Sequence, residues 1–174
     1  MSLQAVHLSG VERTFDRDQI IVSKTDLKGR IIYANEVFIS LAGYTEEELL
    51  GQPHSIIRHP DMPRCVFKLL WSTIEAGKEI FAYVKNRSKN GDHYWVLAHV
   101  TPTFNSSGQI ISYHSNRRAT NREAIAKVEA LYRDLLAIER AASNQKEGME
   151  QAFAAMVAKL QAAGLPYEEF VFTL

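Results

Sequence analysis

The Asn90-Gly91 pair constrains this chain more than any other feature, because it sits between two long runs of β-branched and aromatic residues. Asn-Gly readily takes the positive φ values of a tight primed turn, so Lys89-Asn90-Gly91-Asp92 predicts a hairpin between strands over 79–87 and 93–104. A second turn, Asn105-Ser106-Ser107-Gly108, predicts another antiparallel strand over 109–116. Near the start, Asp26-Leu27-Lys28-Gly29 has turn composition and separates two more strand-like runs, 19–24 and 30–34. The stretch between the second and third strands reads as helical. Asn35 breaks the strand and can cap a turn carrying Val37, Phe38 and Leu41 at helical spacing up to Gly43. Thr45-Glu46-Glu47-Glu48 is a capping box, and Gly51 closes the short helix it starts. A longer helix is predicted over 61–76: Asp61 can cap it, Pro63 suits its opening, Val66, Leu69, Leu70 and Ile74 form its apolar stripe, and Gly77 ends it.

The order strand, strand, helices, strand, strand, strand predicts an α+β fold, a five-stranded antiparallel sheet with short helices on one face. Those helices are the only elements before residue 117 that can cover a sheet face, and a pocket between sheet and helices follows. At 174 residues with 46% apolar content, the chain can hold one such domain and an appendage. Residues 1–18 form an N-terminal segment without a sustained period, 19–120 the sheet-and-helix domain, and 121–174 a helical extension. In that extension Ile125, Val128, Tyr132, Leu135 and Ile138 repeat at helical spacing, and after a polar break containing Gly148 the pattern resumes at Met149, Phe153, Met156 and Leu160. Two readings of this stripe stand: it meets another chain, as in a homodimer, or it folds back on the sheet.

Twenty Lys and Arg balance twenty Asp and Glu, so the charge gives no reason to expect nucleic acid or an anionic membrane as partner. The single cysteine, Cys65, cannot form an internal disulfide, and beside Val66 and Phe67 it reads as a small buried hydrophobe. No basic-then-apolar leader and no apolar run of membrane-spanning length is found, which leads to the expectation of a cytoplasmic protein without membrane insertion.

The chemistry concentrates at 56–63, Ile-Ile-Arg-His-Pro-Asp-Met-Pro, where Arg58, His59 and Asp61 stand at the lip of the pocket. His54, His59, Asp61 and Cys65 are metal-competent but lack the spacing of a structural or catalytic metal site. No Gly-x-Ser-x-Gly elbow, Walker loop or Gly-x-Gly-x-x-Gly occurs, so the chain is expected to be no enzyme and to act by changing shape against a partner.

From about Ser23 to Tyr132 the chain resembles a PAS domain, specifically that of bacterial aerotaxis (energy-taxis) receptors. The resemblance rests on Thr25-Asp26-Leu27, Tyr33-Ala34-Asn35, Gly43-Tyr44-Thr45, Gly51-Gln52-Pro53-His54, Arg58-His59-Pro60-Asp61-Met62-Pro63, Val84-Lys85-Asn86-Arg87, Lys89-Asn90-Gly91-Asp92-His93-Tyr94-Trp95-Val96 and Arg117. It implies non-covalent FAD in the pocket, with flavin redox state as the sensed quantity. It further implies Asn35, Arg58, His59, Asp61, Asn86 and Arg117 as polar positions of the flavin site, and Trp71, Tyr94 and Trp95 as its aromatic ones. One position departs. Flavin-binding relatives usually carry Trp where this chain has Ile80, which removes an aromatic wall. Phe81 cannot substitute, since adjacent strand residues point to opposite faces. The rivals to FAD are haem, for which His93, His99 and His114 lie in strands, and a cofactor-free dimerising adaptor. Full-length aerotaxis receptors continue into a membrane anchor and a signalling rod, whereas this chain stops at Leu174. The arrangement resembles a stand-alone PAS protein that signals to a separate chemotaxis transducer.

Overall fold

The structure, a computed structural model, describes residues 7–174; the first six positions of the N-terminal segment, where a leader was sought, lie outside the described residues. Burial alternates along β1 (Ile21–Thr25), and its antiparallel partner β2 (Ile31–Ala34) buries its end residues Ile31 and Ala34 while Ile32 and Tyr33 stay exposed. Three further strands, β3 (Ile80–Arg87), β4 (His93–Phe104) and β5 (Ile110–Arg118), complete a sheet in the order β2-β1-β5-β4-β3. All neighbours are antiparallel, so β1 and β5 meet at the centre although they are far apart in the chain.

Local chemistry accounts for the elements between β2 and β3. Asn35 caps α1 (Glu36–Ala42): its Oδ1 accepts from the Phe38 and Val22 amides, both at 3.0 Å, and its Nδ2 donates to the Ile20 carbonyl at 2.8 Å. One side chain thus ties the first helix to β1. Thr45 and Glu48 close the capping box of α2 (Glu46–Leu49) in both directions. A 3₁₀ turn (His54–Ile57) then leads to α3 (Arg64–Glu75).

Two local expectations are corrected. Helix α3 begins at Arg64 behind Pro63, and Asp61 does not cap it; the Asp61 carboxylate is drawn instead to Lys85 Nζ at 2.9 Å. The Asn90-Gly91 loop is not the two-residue primed turn. Only Gly91 has positive φ, at 96°, with Ser88 N donating to Asp92 O at 2.8 Å and Gly91 N to Ser88 O at 3.0 Å, the three-residue form. The N-terminal segment explains the choice. Ser9 N donates to Gly91 O, Ser9 Oγ and Arg13 Nε both reach the Asp92 carboxylate, and a Cβ at Gly91 would lie 2.7 Å from the His7 carbonyl oxygen.

After β5 the chain runs into α4 (Arg122–Ala141) and α5 (Gln145–Ala163), followed by a short α6 (Tyr167–Phe170) and a final 3₁₀ turn (Val171–Thr173). The break between α4 and α5 falls at 142–144, and Gly148 lies inside α5. Of the two readings of the apolar stripe, folding back is the one seen. Ala124, Ile125, Val128, Tyr132 and Leu135 are buried against the sheet, and Ala152 and Met156 of α5 are buried with them. Trp95 stacks on Tyr132 with ring centroids 6.3 Å apart, and Tyr132 Oη donates to the Tyr83 carbonyl at 2.7 Å. The sheet therefore has helices on both faces: α1 to α3 on one, α4 on the other. No helix among the described residues is long and apolar enough to cross a membrane.

Candidate ligand-binding site

A cavity of about 710 Å³ opens between α3, the 3₁₀ turn and the inner face of the sheet. Its size falls within the range of small-molecule and cofactor pockets. Strand alternation decides which residues line it. On β3, β4 and β5 the inner-face residues Val84, Asn86, Ala98, Val100, Ser115 and Arg117 line the cavity, while their sequence neighbours face α4 or solvent. From the helical side Ile57, Arg58, Phe67, Leu70, Trp71 and Ile74 close it.

The polar edge of the cavity leaves buried donors without partners. Arg117 is 2% exposed and sits over the Phe38 ring at 4.5 Å. Its Nη2 donates to Ser23 Oγ at 2.5 Å, while its Nε and Nη1 have no hydrogen-bond partner among the described residues. Because arginine can only donate, the Ser23 oxygen is the acceptor there, and its own hydrogen is free for His54 Nε2 at 3.1 Å. His54 is held neutral: burial, reinforced by the Arg117 charge, pushes its pKa down to about 3. Burial also lowers Arg117, to about 10, which leaves it charged at neutral pH. Asn86 Nδ2 and the Tyr94 hydroxyl, on directly opposed residues of β3 and β4, also lack a well-formed hydrogen bond among the described residues, although Asn86 lies near enough to hold the hydroxyl's pKa down against the burial that pushes it up to about 12. Native proteins rarely leave buried donors unpaired, because each costs on the order of 1–3 kcal/mol. Here three donor atoms on Asn86 and Arg117 belong to residues of one cavity wall.

The lip is built from backbone as much as from side chains. Arg58 pairs with Asn86 across an antiparallel bridge, its Nη2 donates to the Met62 carbonyl at 3.1 Å, and its guanidinium lies 4.5 Å above the Phe67 ring. His59 turns away from the cavity. Its Nδ1 accepts from the Asp61 amide, its ring meets His93 at 5.8 Å, and burial, aided by the Lys85 charge, lowers its pKa to about 4.

Of the residues expected at the site, the structure brings Arg58, Trp71, Asn86 and Arg117 together around the cavity. Asn35 is spent on capping, Asp61 on Lys85, and Tyr94 lies in the core beyond the lining. Trp95 is on the opposite face of the sheet against Tyr132. Ile80 packs with Leu70, Ile74, Val100 and Tyr113, a cluster that also supports Trp71. Trp71 meets Tyr113 edge to face at 5.6 Å, so an aromatic wall comes from this pair. Phe81 faces the other way, stacked on His99 at 4.1 Å. Among the described residues, no group of three or more His, Cys, Asp or Glu could hold a metal ion. Ser23 and Ser115 escaped the sequence reading as site residues, and His54 was read only as a metal-competent side chain and a motif position. Only the alternation of β1 and β5 could have singled out the two serines.

Residues 31–117 match the family described as the PAS fold, and the chain belongs to that family. Within it, 118 residues are 47% identical to the aerotaxis receptor of Escherichia coli, covering 68% of this chain and 23% of that protein. A nitrogen fixation regulatory protein of Klebsiella oxytoca is 27% identical over 103 residues, 59% of this chain and 21% of its own length. The chain thus spans under a quarter of these curated relatives. Among solved structures, a light-oxygen-voltage domain studied with a flavin analogue superposes with a TM-score of 0.58 at 20% identity, covering 64% of this chain and 87% of that one. The dark structure of the Aureochrome1 LOV domain gives 0.56 at 24% identity, with 67% and 86% covered. At these identities the likeness establishes the fold alone.

Proposed function

We propose that this chain is a redox or energy sensor that holds FAD non-covalently in the cavity and signals to a separate transducer of chemotaxis type. The observation that carries the reading is the set of donors without a well-formed partner, Asn86 Nδ2 with Arg117 Nε and Nη1, on the sheet wall of a cavity that also presents the apolar surfaces of Phe67, Leu70, Trp71 and Val100. A flavin ring is flat and largely apolar, with carbonyl oxygens and ring nitrogens along one edge that accept hydrogen bonds, and these residues fit it. Bound flavin would supply reversible electron uptake with a change of charge. Arg117, buried and cationic, would favour the more negative state, and Asn86 would orient the polar edge. Trp71 and Phe67 would flank the ring, and Arg58, stacked on Phe67, would keep water from the lip. Position 80 supports this reading only indirectly, through Trp71.

Haem is the poorer occupant, because His93, His99 and His114 are absent from the cavity lining and the one lining histidine, His54, is already engaged by Ser23. The 47% identity to an aerotaxis receptor supports the signalling class. A homodimer remains part of the proposal: Ile125, Val128, Leu135 and Met156 of the stripe are buried within the chain, whereas Phe153 and Leu160 of α5 are only half-buried.

The test is the visible absorption spectrum of the purified full chain after incubation with FAD. Flavin bands that persist through gel filtration support the reading. A colourless protein, or a Soret band, overturns it.

A further inference from the structure

One lining residue of the cavity comes from the helices that follow the PAS fold. Met149, on α5, lines the cavity beside Phe67 and Lys68 of α3. Three features seat α5 there. At Gly148 a Cβ would stand 2.4 Å from the Glu139 carbonyl oxygen, so α5 meets α4 at backbone distance and only glycine permits it. Glu139 reaches in the other direction as well: its Oε1 accepts from the Cys65 amide at 2.9 Å, in the first turn of α3, where Pro63 supplies no side-chain cap. Lys68 of α3 pairs with Glu150 of α5 and lies 4.7 Å from the centre of the Phe153 ring. The cavity rim, the start of α3, the end of α4 and the start of α5 therefore share one junction.

We propose that α5 is the output element of the cavity, touched directly by the ligand through Met149 and re-seated on this junction when the ligand changes. Lys68 gives the junction a charge sensitivity, because it lines the cavity and pairs with Glu150 at once. A more negative ligand competes with Glu150 for that ammonium group. Coupling of this kind is reciprocal: whatever the ligand does to α5, a displaced α5 does to ligand affinity. The inference takes only the identity of the ligand, FAD, from the preceding reading.

The experiment uses the full chain loaded with FAD, with Gly148→Val to unseat α5 and Met149→Ala to remove the wall contact without a clash. Both variants should release FAD at least about fivefold faster than the parent, the lower end of ordinary coupling between sites. In the parent, FAD should slow amide exchange over 145–163, and reduction with dithionite should change that protection. FAD release indistinguishable from the parent in both variants, or α5 exchange indifferent to FAD, overturns the proposal. If the parent takes up no FAD, the flavin reading fails separately. The junction is then read without ligand: Gly148→Val must speed exchange over 64–75 in α3, and unchanged exchange there overturns the role of α5.

Discussion

The two faces of the sheet are made from alternate residues of the same strands, yet they solve opposite problems. On the outer face Trp95 and Tyr83 meet Tyr132, Leu135 and Val128 of α4, and the buried hydroxyls there are satisfied: Tyr132 donates to the Tyr83 carbonyl and Tyr167 to the Phe81 carbonyl at 2.9 Å. On the inner face Asn86 and Arg117 keep unpaired donors beside a cavity. Apart from Arg87 Nε at the end of β3, the face built for stability closes its hydrogen bonds, whereas the face built for a ligand leaves them for the ligand to close.

That contrast is sharpest under truncation of the core. Leu135→Ala, on the outer face, should cost about 2–5 kcal/mol in chemical denaturation, the usual loss for a fully buried leucine. Removing the whole layer by truncation after Thr120 should abolish a cooperative unfolding transition. A truncated chain that unfolds as sharply as the parent would show that α4 is not part of the core.

The inner face should behave in the reverse sense. Arg117→Met removes a buried cation with two unpaired donors, so the ligand-free protein should hold its melting temperature or gain. Flavin affinity should meanwhile fall by more than about tenfold, the scale of a hydrogen bond to a charged group. Loss of stability without loss of flavin would place Arg117 among the structural residues.

Asn35 tests the boundary between the two roles. With three hydrogen bonds inside the fold, Asn35→Ala should cost about 1–2 kcal/mol of stability, while each folded molecule should still carry flavin. Flavin lost at unchanged stability would move Asn35 back to the ligand.

The smallest effect concerns acid. His54 is neutral and half-buried, with its pKa lowered by desolvation and the Arg117 charge to about 3 from 6.5, so the unfolded chain takes up the proton first. Its contribution to stability is full above pH 6.5 and declines from there until pH reaches about 3, by about 1 kcal/mol over the first unit. His54→Gln should flatten that part of the stability profile, as followed by denaturant midpoints at pH 6.5 and 5.5.

Local signals were written plainly in the chain. The Thr45 capping box, the Asn35 cap and the five strand runs depend on near neighbours, and each forms where the residue pattern predicts it. Where a local rule failed, a distant group had intervened: Lys85 takes Asp61 from the helix it could cap, and Glu139 caps that helix from 74 residues away. His7, Ser9 and Arg13 select the form of the Gly91 turn. The candidate site was legible to the extent that the PAS resemblance named Arg58, Trp71, Asn86 and Arg117. Ser23 was not, because a serine carries no sign of what it will face, and His54, singled out as metal-competent, faces Ser23 instead of a metal.

By itself, then, the sequence determined the class of fold and the order of its elements, since periodicity, capping and turn chemistry act over a few residues and survive without tertiary context. Only the tertiary structure decided which set of alternating strand residues would face a cavity and which would face α4. It also decided that α5 would contribute Met149 to the lining of that cavity. Alternation alone is symmetric between the two faces of a sheet, and long-range burial breaks that symmetry: Leu135 and Tyr132 claim one face, and the other is left to Arg117, Asn86 and whatever they bind.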